Sequence, residues 1–440
     1  MDKRIIPVLV AGVAVVASGT FFVQSRASDV PDNVFESPSI EISEMSELGR
    51  VAWEGGPSYY SRFAKAKDWD DPDFFPIGVW YEGVYTQEEL DRDKAVGLNT
   101  YVMLTKDSDL DLIERNGMHA MTGDARADSG DETTAWIIND EVDMWGGAGT
   151  GTWTGKYPGE GHPCTSGQYD CGFDVMKRLS AELPTGDGRM RYANFGKGVV
   201  FWQGDDAAGR FVNDWTTVVS NDVYWYTDPN VCYSASEGPA IGVPENACRR
   251  SANYGLTMDR MRELDARDGK RQPIYAFVEV GRPFEDATAP TITRDQIAGA
   301  VVNSLIHEAR GILYFNHNFS GDCVSQHVLR DACGAAVRPA VTELNRRITG
   351  LAPVLNTQSY AWRFNPRLDT MLKEHDGSYY VFAMPSRFGG TGEQRLTLPG
   401  GVAATNATVL FEDRTVSIEN GAIIDTFAEE YSYHIYKISR

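Results

Sequence analysis

Residues 274–279 read Ile-Tyr-Ala-Phe-Val-Glu, an unbroken apolar run followed directly by a carboxylate. Such a run is typical of a strand in a parallel sheet that is covered on both faces. Helical segments such as residues 87–98 and 294–311 separate this run from others of the same kind, which span residues 75–80, 99–104, 119–122, 135–139, 191–194, 222–226 and 311–315. The alternation predicts an α/β fold with a (β/α)₈ TIM barrel over residues 74–351.

Two places in this pattern are irregular. The third helix has almost no room between residues 122 and 135, and a second apolar run at residues 198–202 competes for the fifth strand. After residue 351 the rhythm changes to short alternating runs separated by Gly, Asp and Asn turns. We therefore predict a small antiparallel β-sandwich domain over residues 352–440.

The N-terminus has the composition of an export segment. Lys3 and Arg4 precede an apolar stretch over residues 5–23, so residues 1–27 are predicted to be a signal peptide or a single membrane anchor. Residues 28–73 are predicted to be a linker and N-terminal extension, polar and acidic as far as about residue 50. Both alternatives place the rest of the chain outside the cytoplasm, secreted or anchored on the outer face of the cytoplasmic membrane.

The six cysteines fall into three local pairs, which are Cys164 with Cys171, Cys232 with Cys248, and Cys323 with Cys333. An even number at short spacing favours three disulfides formed in an oxidising compartment. A zinc site is the alternative, but none of the seven histidines lies in a zinc-binding pattern. We expect neither a metal nor a cofactor. The net charge of −21 argues against nucleic acid or an anionic membrane as the main partner.

The active site of a TIM barrel lies where the strands end and the βα loops begin. Glu141 and Glu279 each follow an apolar run, so the barrel would deliver both to this rim. Breaking a glycosidic bond needs one protonated and one ionised carboxyl group. Asp140 and Asp143 flank Glu141 and would keep it protonated, whereas Arg282 could hold Glu279 ionised. The alternative is that either glutamate is an ion-paired surface residue.

Aromatic and polar side chains near the same strand ends suit a carbohydrate, because sugar rings stack their CH faces on aromatic rings. The predicted substrate-binding residues are Trp80, Asp140, Asn194, Trp202, Tyr226 and His317. For the aromatic residues the alternative is core packing. For His317 it is a structural histidine.

Several stretches resemble the clan A glycoside hydrolases. They are FFPIGVWY (74–81), AVGLNTYV (95–102), NGMHAM (116–121), WIINDEVDMWG (136–146), IYAFVEVG (274–281) and NSLIHEARGILYFNHNF (303–319). The resemblance implies an acid/base after the fourth strand, here Glu141, a nucleophile after the seventh, here Glu279, and retention of anomeric configuration. The last 90 residues or so are similar to the C-terminal β-domains of such enzymes. Asp140 departs from the pattern, because clan A enzymes commonly have Asn before the acid/base.

The sequence thus predicts an exported, retaining glycoside hydrolase acting on an extracellular or cell-envelope polysaccharide or oligosaccharide, with carboxyl groups about 5–5.5 Å apart. Two rivals remain open. One is a non-catalytic carbohydrate-binding protein on the same barrel. The other is a barrel hydrolase that gathers Asp124, Asp140 and His317 around a metal.

Overall fold

A closed barrel of eight parallel strands forms the centre of the protein, with each strand hydrogen-bonded to the next in chain order. The computed structural model describes residues 44–145, 171–233, 237–286 and 288–440. The barrel strands are β1 (Ile77–Trp80), β2 (Thr100–Val102), β3 (His119–Thr122), β4 (Thr133–Asp140), β5 (Met190–Phe195), β6 (Val218–Asn221), β7 (Ile274–Glu279) and β8 (Ile312–Phe315). This is the predicted TIM-barrel architecture.

Helices follow the strands around the outside of the barrel. They are α1 (Gln87–Val96), α2 (Leu110–Arg115), α3 (Val142–Trp145), α4 (Gly172–Glu182), α5 (Asp205–Asn213), α6 (Ala252–Asp265), α7 (Arg294–Ile306) and α8 (Arg338–Leu355). The sequence sets some of their ends: Thr86 and Glu89 form a capping box at the start of α1, and Gly97 ends that helix with a φ of 87°.

Seven of the eight predicted strands overlap an observed one, and the sixth prediction is wrong. Strand β6 comprises residues 218–221 (VVSN), and the predicted run 222–226 follows it as a buried connection. The run is apolar because Tyr224 and Trp225 pack into the core, not because it is a strand. Residues 198–202 form a π-helical turn rather than a fifth strand. Residues 123–132 connect β3 to β4 through turns, without a helix.

The N-terminal end of the barrel is closed by residues from the predicted N-terminal extension. The Tyr59 hydroxyl donates to the carbonyl of Thr217, just before β6, at 2.5 Å. The hydroxyls of Tyr60 and Tyr275 lie 3.0 Å apart, and these tyrosines share an apolar cluster with Trp69 inside the barrel. The described part of the extension is therefore a packed plug, which leaves the opposite end of the barrel for a site.

A seven-stranded antiparallel sheet follows α8. Its strands are β9 (Leu368–His375), β10 (Ser378–Pro385), β11 (Gly392–Thr397), β12 (Asn406–Val409), β13 (Arg414–Glu419), β14 (Ala422–Phe427) and β15 (His434–Ser439). They lie in the order β11-β14-β13-β12-β15-β10-β9 around a separate hydrophobic core. Helix α8 continues to Leu355, slightly past the predicted boundary at residue 351.

Two of the predicted disulfides are formed. The Cα atoms of Cys232 and Cys248 lie 5.6 Å apart, and those of Cys323 and Cys333 lie 5.4 Å apart. Cys164 lies outside the described residues, so its pairing with Cys171 stays a prediction. The predicted export segment, residues 1–27, also lies outside them. Over the part of the chain that is described, we find no helix with the length and apolar character needed to cross a bilayer.

Candidate active site

The C-terminal rim of the barrel brings together acidic side chains from β4, β6 and β7. Asp140 is the last residue of β4 and Glu141 follows it, Asp222 follows β6, and Glu279 ends β7. The two glutamates selected from the sequence thus lie at the same end of the barrel, where the active sites of this fold are built.

Glu141 is held in a strained backbone conformation. Its φ is 51°, in the left-handed region that residues with a side chain rarely occupy. Its backbone N–H donates to the carbonyl of Asn194 on β5 at 3.0 Å, which fixes the turn. A Cβ at Gly196 would lie 3.1 Å from Glu141 Oε1 and 2.3 Å from Met144 Sδ, so a larger residue at this position would have to displace the Met144 side chain. Strain of this kind persists where the surroundings enforce it, often at functional sites.

The surroundings of Glu141 favour its protonated form. The side chain stays partly exposed at the rim. Desolvation by the surrounding protein, followed by the charge of Asp140, raises the pKa of Glu141 to about 8. Asp143 adds to this, in the direction predicted from the flanking aspartates, but desolvation is the larger cause.

Glu279 is fully buried and bonded to neutral hydroxyls. The Tyr254 hydroxyl lies 2.8 Å from each carboxyl oxygen, and Thr227 donates to Oε1 at 3.0 Å. Burial outweighs these bonds and raises the pKa of Glu279 to about 7. The expectation that Arg282 holds Glu279 ionised is wrong, because Arg282 Nε donates to Thr291 at 3.1 Å and burial sets the direction of the shift.

Tyr224 lies within electrostatic range of both glutamates. The charges of Glu141 and Glu279, with those of Asp222 and Asp140, add to burial in raising the pKa of its phenol well above the usual value. The Tyr224 hydroxyl is buried and has no hydrogen-bond partner among the residues that the structure describes. A buried polar atom without a partner is costly, so this hydroxyl is suited to bonding a bound molecule.

Asn194 connects β4 and β6 at the rim. Its Nδ2 donates to Asp140 Oδ1 at 2.9 Å, and its Oδ1 accepts from Ser220 at 2.6 Å. Trp80 is 6% exposed and packs edge-to-face on Phe277, with ring centroids 5.3 Å apart. Asn194, Asp140 and Trp80 therefore lie at the end of the barrel predicted for the site. Their contact with substrate stays a prediction.

His317 also reaches the rim, as a neutral imidazole. Burial lowers its pKa to about 4. Its ring lies 4.8 Å from that of Phe315 and 5.8 Å from that of Tyr81, which is exposed and has a φ of 54°. The Nε2 atom is buried and unbonded in the described part of the chain. This surrounding suits the predicted role of substrate contact better than that of a base.

Two other predicted substrate contacts take part in packing. The Tyr226 hydroxyl bonds Ser251 at 2.8 Å and Glu430, from the connection between β14 and β15, at 2.5 Å. Trp202 ends the π-helical turn and packs, partly buried, against the main core. The Tyr226 hydroxyl is thus already bonded within the protein. Both assignments remain predictions that no contact supports.

The remaining acidic candidates have structural partners or lie apart. Asp143 accepts from the backbone N–H groups of Gly196 and Val199, which holds the π-helical turn in place. Asp124 lies on the surface, 4.0 Å from Lys106. Within the described ranges no three His, Cys, Asp or Glu side chains are placed to hold a metal, so Asp124, Asp140 and His317 do not form the rival metal site. The Trp145 side chain lies outside the described residues.

Sequence reasoning missed Asp222, Thr227 and Tyr254. The predicted sixth strand begins at Asp222, whereas this residue follows the observed strand β6 and reaches the rim. The alternation rule would have found it if residues 218–221 had been read as the strand. Tyr254 lies on α6, 25 residues before Glu279, and no spacing in the sequence predicts that contact.

Comparison with known proteins concerns the fold alone. The chain matches no protein-family model and no curated protein. Solved structures similar to it include a family 5 glycoside hydrolase from Bacteroides vulgatus (TM-score 0.49, 10% identity, 83% of this chain and 89% of that chain covered). A family 30 endoxylanase from Clostridium papyrosolvens (0.43, 9%, 83% and 97%) and an alpha-amylase from Geobacillus thermoleovorans (0.39, 10%, 84% and 99%) are similar too. At such scores and identities no argument about the reaction rests on the likeness.

Proposed function

We propose that this chain is a retaining glycoside hydrolase, with Glu141 as the acid/base and Glu279 as the nucleophile. The observation that carries the proposal is the state of these two strand-end carboxyl groups. Within the described residues neither forms an ion pair, and each has its pKa raised into the neutral range. Strongly shifted carboxyl groups at the open end of a barrel are typical of catalytic acids and bases.

The two environments fit the division of labour that hydrolysis needs. Tyr254 and Thr227 donate to Glu279 and favour its ionised form, whereas the charges of Asp140 and Asp143 favour the protonated form of Glu141. Glu279 then attacks the anomeric carbon while Glu141 protonates the departing oxygen, and water later releases the sugar from Glu279 with Glu141 as the base. We expect a bell-shaped dependence of kcat/KM on pH with its maximum near neutral pH.

The substrate class follows from the rest of the rim and from the disulfides. Exposed Tyr81 and unbonded polar atoms on Tyr224 and His317 suit a ligand that offers both CH faces and hydroxyl groups. The two disulfides suit an oxidising compartment. We therefore propose a polysaccharide or oligosaccharide outside the cytoplasm, with the chain secreted or anchored there.

The test compares the wild type with Glu141→Gln and Glu279→Gln on a panel of aryl glycosides and cell-envelope polysaccharides. Loss of general acid catalysis costs about 10²–10⁴-fold, so we expect kcat/KM to fall by at least that factor in both variants. Glu141→Gln should keep more activity on glycosides with very acidic phenol leaving groups, because these need little protonation. Glu279→Gln should lose activity on every substrate.

Glu285→Gln is the matched control, because Glu285 is exposed in the connection that follows β7. It should match the wild type. Full activity in Glu141→Gln or Glu279→Gln would contradict the assigned role of that residue. Tight binding of an oligosaccharide without hydrolysis by the wild type would favour the carbohydrate-binding alternative.

A further inference from the structure

We propose that Asp222 is the positioning residue of the acid/base: it keeps a proton that it shares with Glu141 through a hydrogen bond, while Glu141 carries a second proton, which it transfers to the substrate. The proton sharing rests on the geometry of the pair. Its part in catalysis rests on the proposed function. Asp222 acts through Glu141 and needs no contact with the sugar.

The position of Asp222 is set by the backbone at the end of β6. Its N–H donates to the carbonyl of Phe195 at 3.1 Å, which fixes the residue beside the end of β5. From there its carboxyl group is hydrogen-bonded to that of Glu141. Two carboxylates repel each other, so such a bond requires a proton on one of them.

The surroundings offer Asp222 no other way to carry its charge. Its Oδ1 is buried and accepts nothing from any N–H or O–H in the described ranges, and no lysine or arginine there forms an ion pair with it. A buried carboxylate without a donor or a cation is strongly disfavoured. Asp222 therefore keeps a proton of its own, which lies in the hydrogen bond to Glu141, in addition to the proton that Glu141 transfers.

Charged and titratable groups from three strand ends face the pair. The β4 end contributes Asp140 and Asp143, β5 contributes Tyr192, and the connection after β6 contributes Tyr224. Lys197, after β5, is the cation that acts on Glu141, but its Nζ is already bonded to Asp228 and Glu237. The excess of acidic groups around the pair further favours its protonated form.

The two protons of the pair have separate parts in the reaction. In the first step the proton that Glu141 carries moves to the glycosidic oxygen, the bond from that oxygen to the anomeric carbon breaks, and Glu279 forms the new bond to the carbon, while the shared proton stays on Asp222. The Glu141 carboxylate left behind accepts the hydrogen bond of protonated Asp222. In the second step Glu141 takes a proton from water as the water oxygen displaces Glu279, and Asp222 ends with the proton it began with.

Two substitutions at Asp222 have different expected effects on the basic limb of the kcat/KM profile. Asp222→Asn keeps a neutral donor of the same shape, so the limb, which reports loss of the Glu141 proton, stays close to that of the wild type. Asp222→Leu removes the donor, so the carboxylate of Glu141 is less favoured and the limb moves higher. We also expect kcat to fall about tenfold or more in Asp222→Leu.

A merely structural aspartate would not move the basic limb in Asp222→Leu while leaving it in place in Asp222→Asn. Asp265→Asn is the matched control, because Asp265 is also a buried aspartate but lies at the end of α6, bonded to Arg271 and Gln272. It should change the stability and leave both limbs of the profile in place. A basic limb of Asp222→Leu that coincides with that of the wild type would overturn the proposal.

A titration of ¹³C-labelled carboxyl groups by NMR tests the shared proton without any substrate. We expect Glu141 and Asp222 in the wild type to titrate together in two separated steps, and Glu141 in Asp222→Asn to titrate in one. Two independent titrations near the usual carboxyl pKa would overturn the sharing. Coupled titration in a chain that hydrolyses no glycoside would support the sharing and contradict the proposed function, so the two failures are distinguishable.

Discussion

The two ends of the barrel treat buried charge in opposite ways. At the N-terminal end, Arg310 lies 3.1 Å from Glu54 and 3.1 Å from Glu308, and all three side chains are buried. At the C-terminal end, Glu279 faces two hydroxyl groups, and Glu141 faces the carboxyl group of Asp222. At the N-terminal end a cation neutralises the carboxylates. At the C-terminal end the carboxyl groups of both glutamates have no such partner among the residues described and can bind or release protons.

This difference indicates which end does chemistry. An arginine partner favours the ionised form of a carboxyl group, whereas neutral donors in a buried site allow a change of protonation near neutral pH. A position at the rim and a raised pKa do not by themselves make a carboxyl group catalytic. Glu82 also follows a barrel strand, and burial raises its pKa, but it lies 3.0 Å from Arg330 and accepts from Asn316 at 2.7 Å, which indicates a structural role.

A substitution in the ion-pair cluster at the N-terminal end of the barrel should have the largest effect on stability. Arg310→Met leaves Glu54 buried without its cation and leaves Glu308 with Lys373 alone, 3.9 Å away. Removal of one partner of a buried ion pair costs about 3–5 kcal/mol. The measurement is the free energy of unfolding from urea denaturation. The positions of both limbs of the pH profile should stay as in the wild type, and a displaced limb would contradict the separation of the two ends.

The open end should instead make stability depend on pH. Glu279 has a folded-state pKa of about 7 against an ordinary value of 4.5, so the folded protein binds the extra proton and loses stability as the pH rises between these values. At about 1.4 kcal/mol for each pKa unit, the loss is about 3 kcal/mol. Glu279→Gln should remove that part of the pH dependence, as seen by urea denaturation at about pH 4 and pH 8.

The exposed control Glu285→Gln should keep the pH dependence of the wild type. An unchanged slope of stability against pH in Glu279→Gln would mean that Glu279 has an ordinary pKa, and the contrast between the two ends would weaken.

Sequence patterns predicted the barrel and the position of its two glutamates at the rim, because both depend on the order of neighbouring residues along the chain. Apolar runs define β4 and β7, and the residue after each run must lie at the rim, so Glu141 and Glu279 follow without knowledge of contacts. The sixth strand failed because a buried connection is as apolar as a strand. This error concealed Asp222.

What the sequence could not give were contacts between distant elements. Tyr254 reaches Glu279 from α6, and the acidic surroundings of Tyr224 come from three strand ends. The direction of the Glu279 pKa also failed, because the sequence shows a nearby Arg282 but not the burial that outweighs it. Burial and long-range hydrogen bonds are properties of packing, so local patterns do not predict them.

The substitution Tyr254→Phe should have the smallest effect. It tests whether a neutral hydrogen-bond donor lowers the pKa of the proposed nucleophile Glu279. The hydroxyl of Tyr254 contacts both oxygens of Glu279 and favours the ionised form, so its loss should raise the pKa of Glu279 further and move the acidic limb of kcat/KM to higher pH. A hydrogen bond to a charged group contributes about 1.5–3 kcal/mol, which corresponds to a fall of about 10- to 150-fold in kcat/KM near pH 7. Tyr314→Phe is the matched control, because that buried tyrosine donates to Asn345 on α8 and leaves Glu279 untouched. An acidic limb that moves equally in both variants would assign the effect to packing, whereas a shift confined to Tyr254→Phe would show that the hydroxyl sets the ionisation of Glu279.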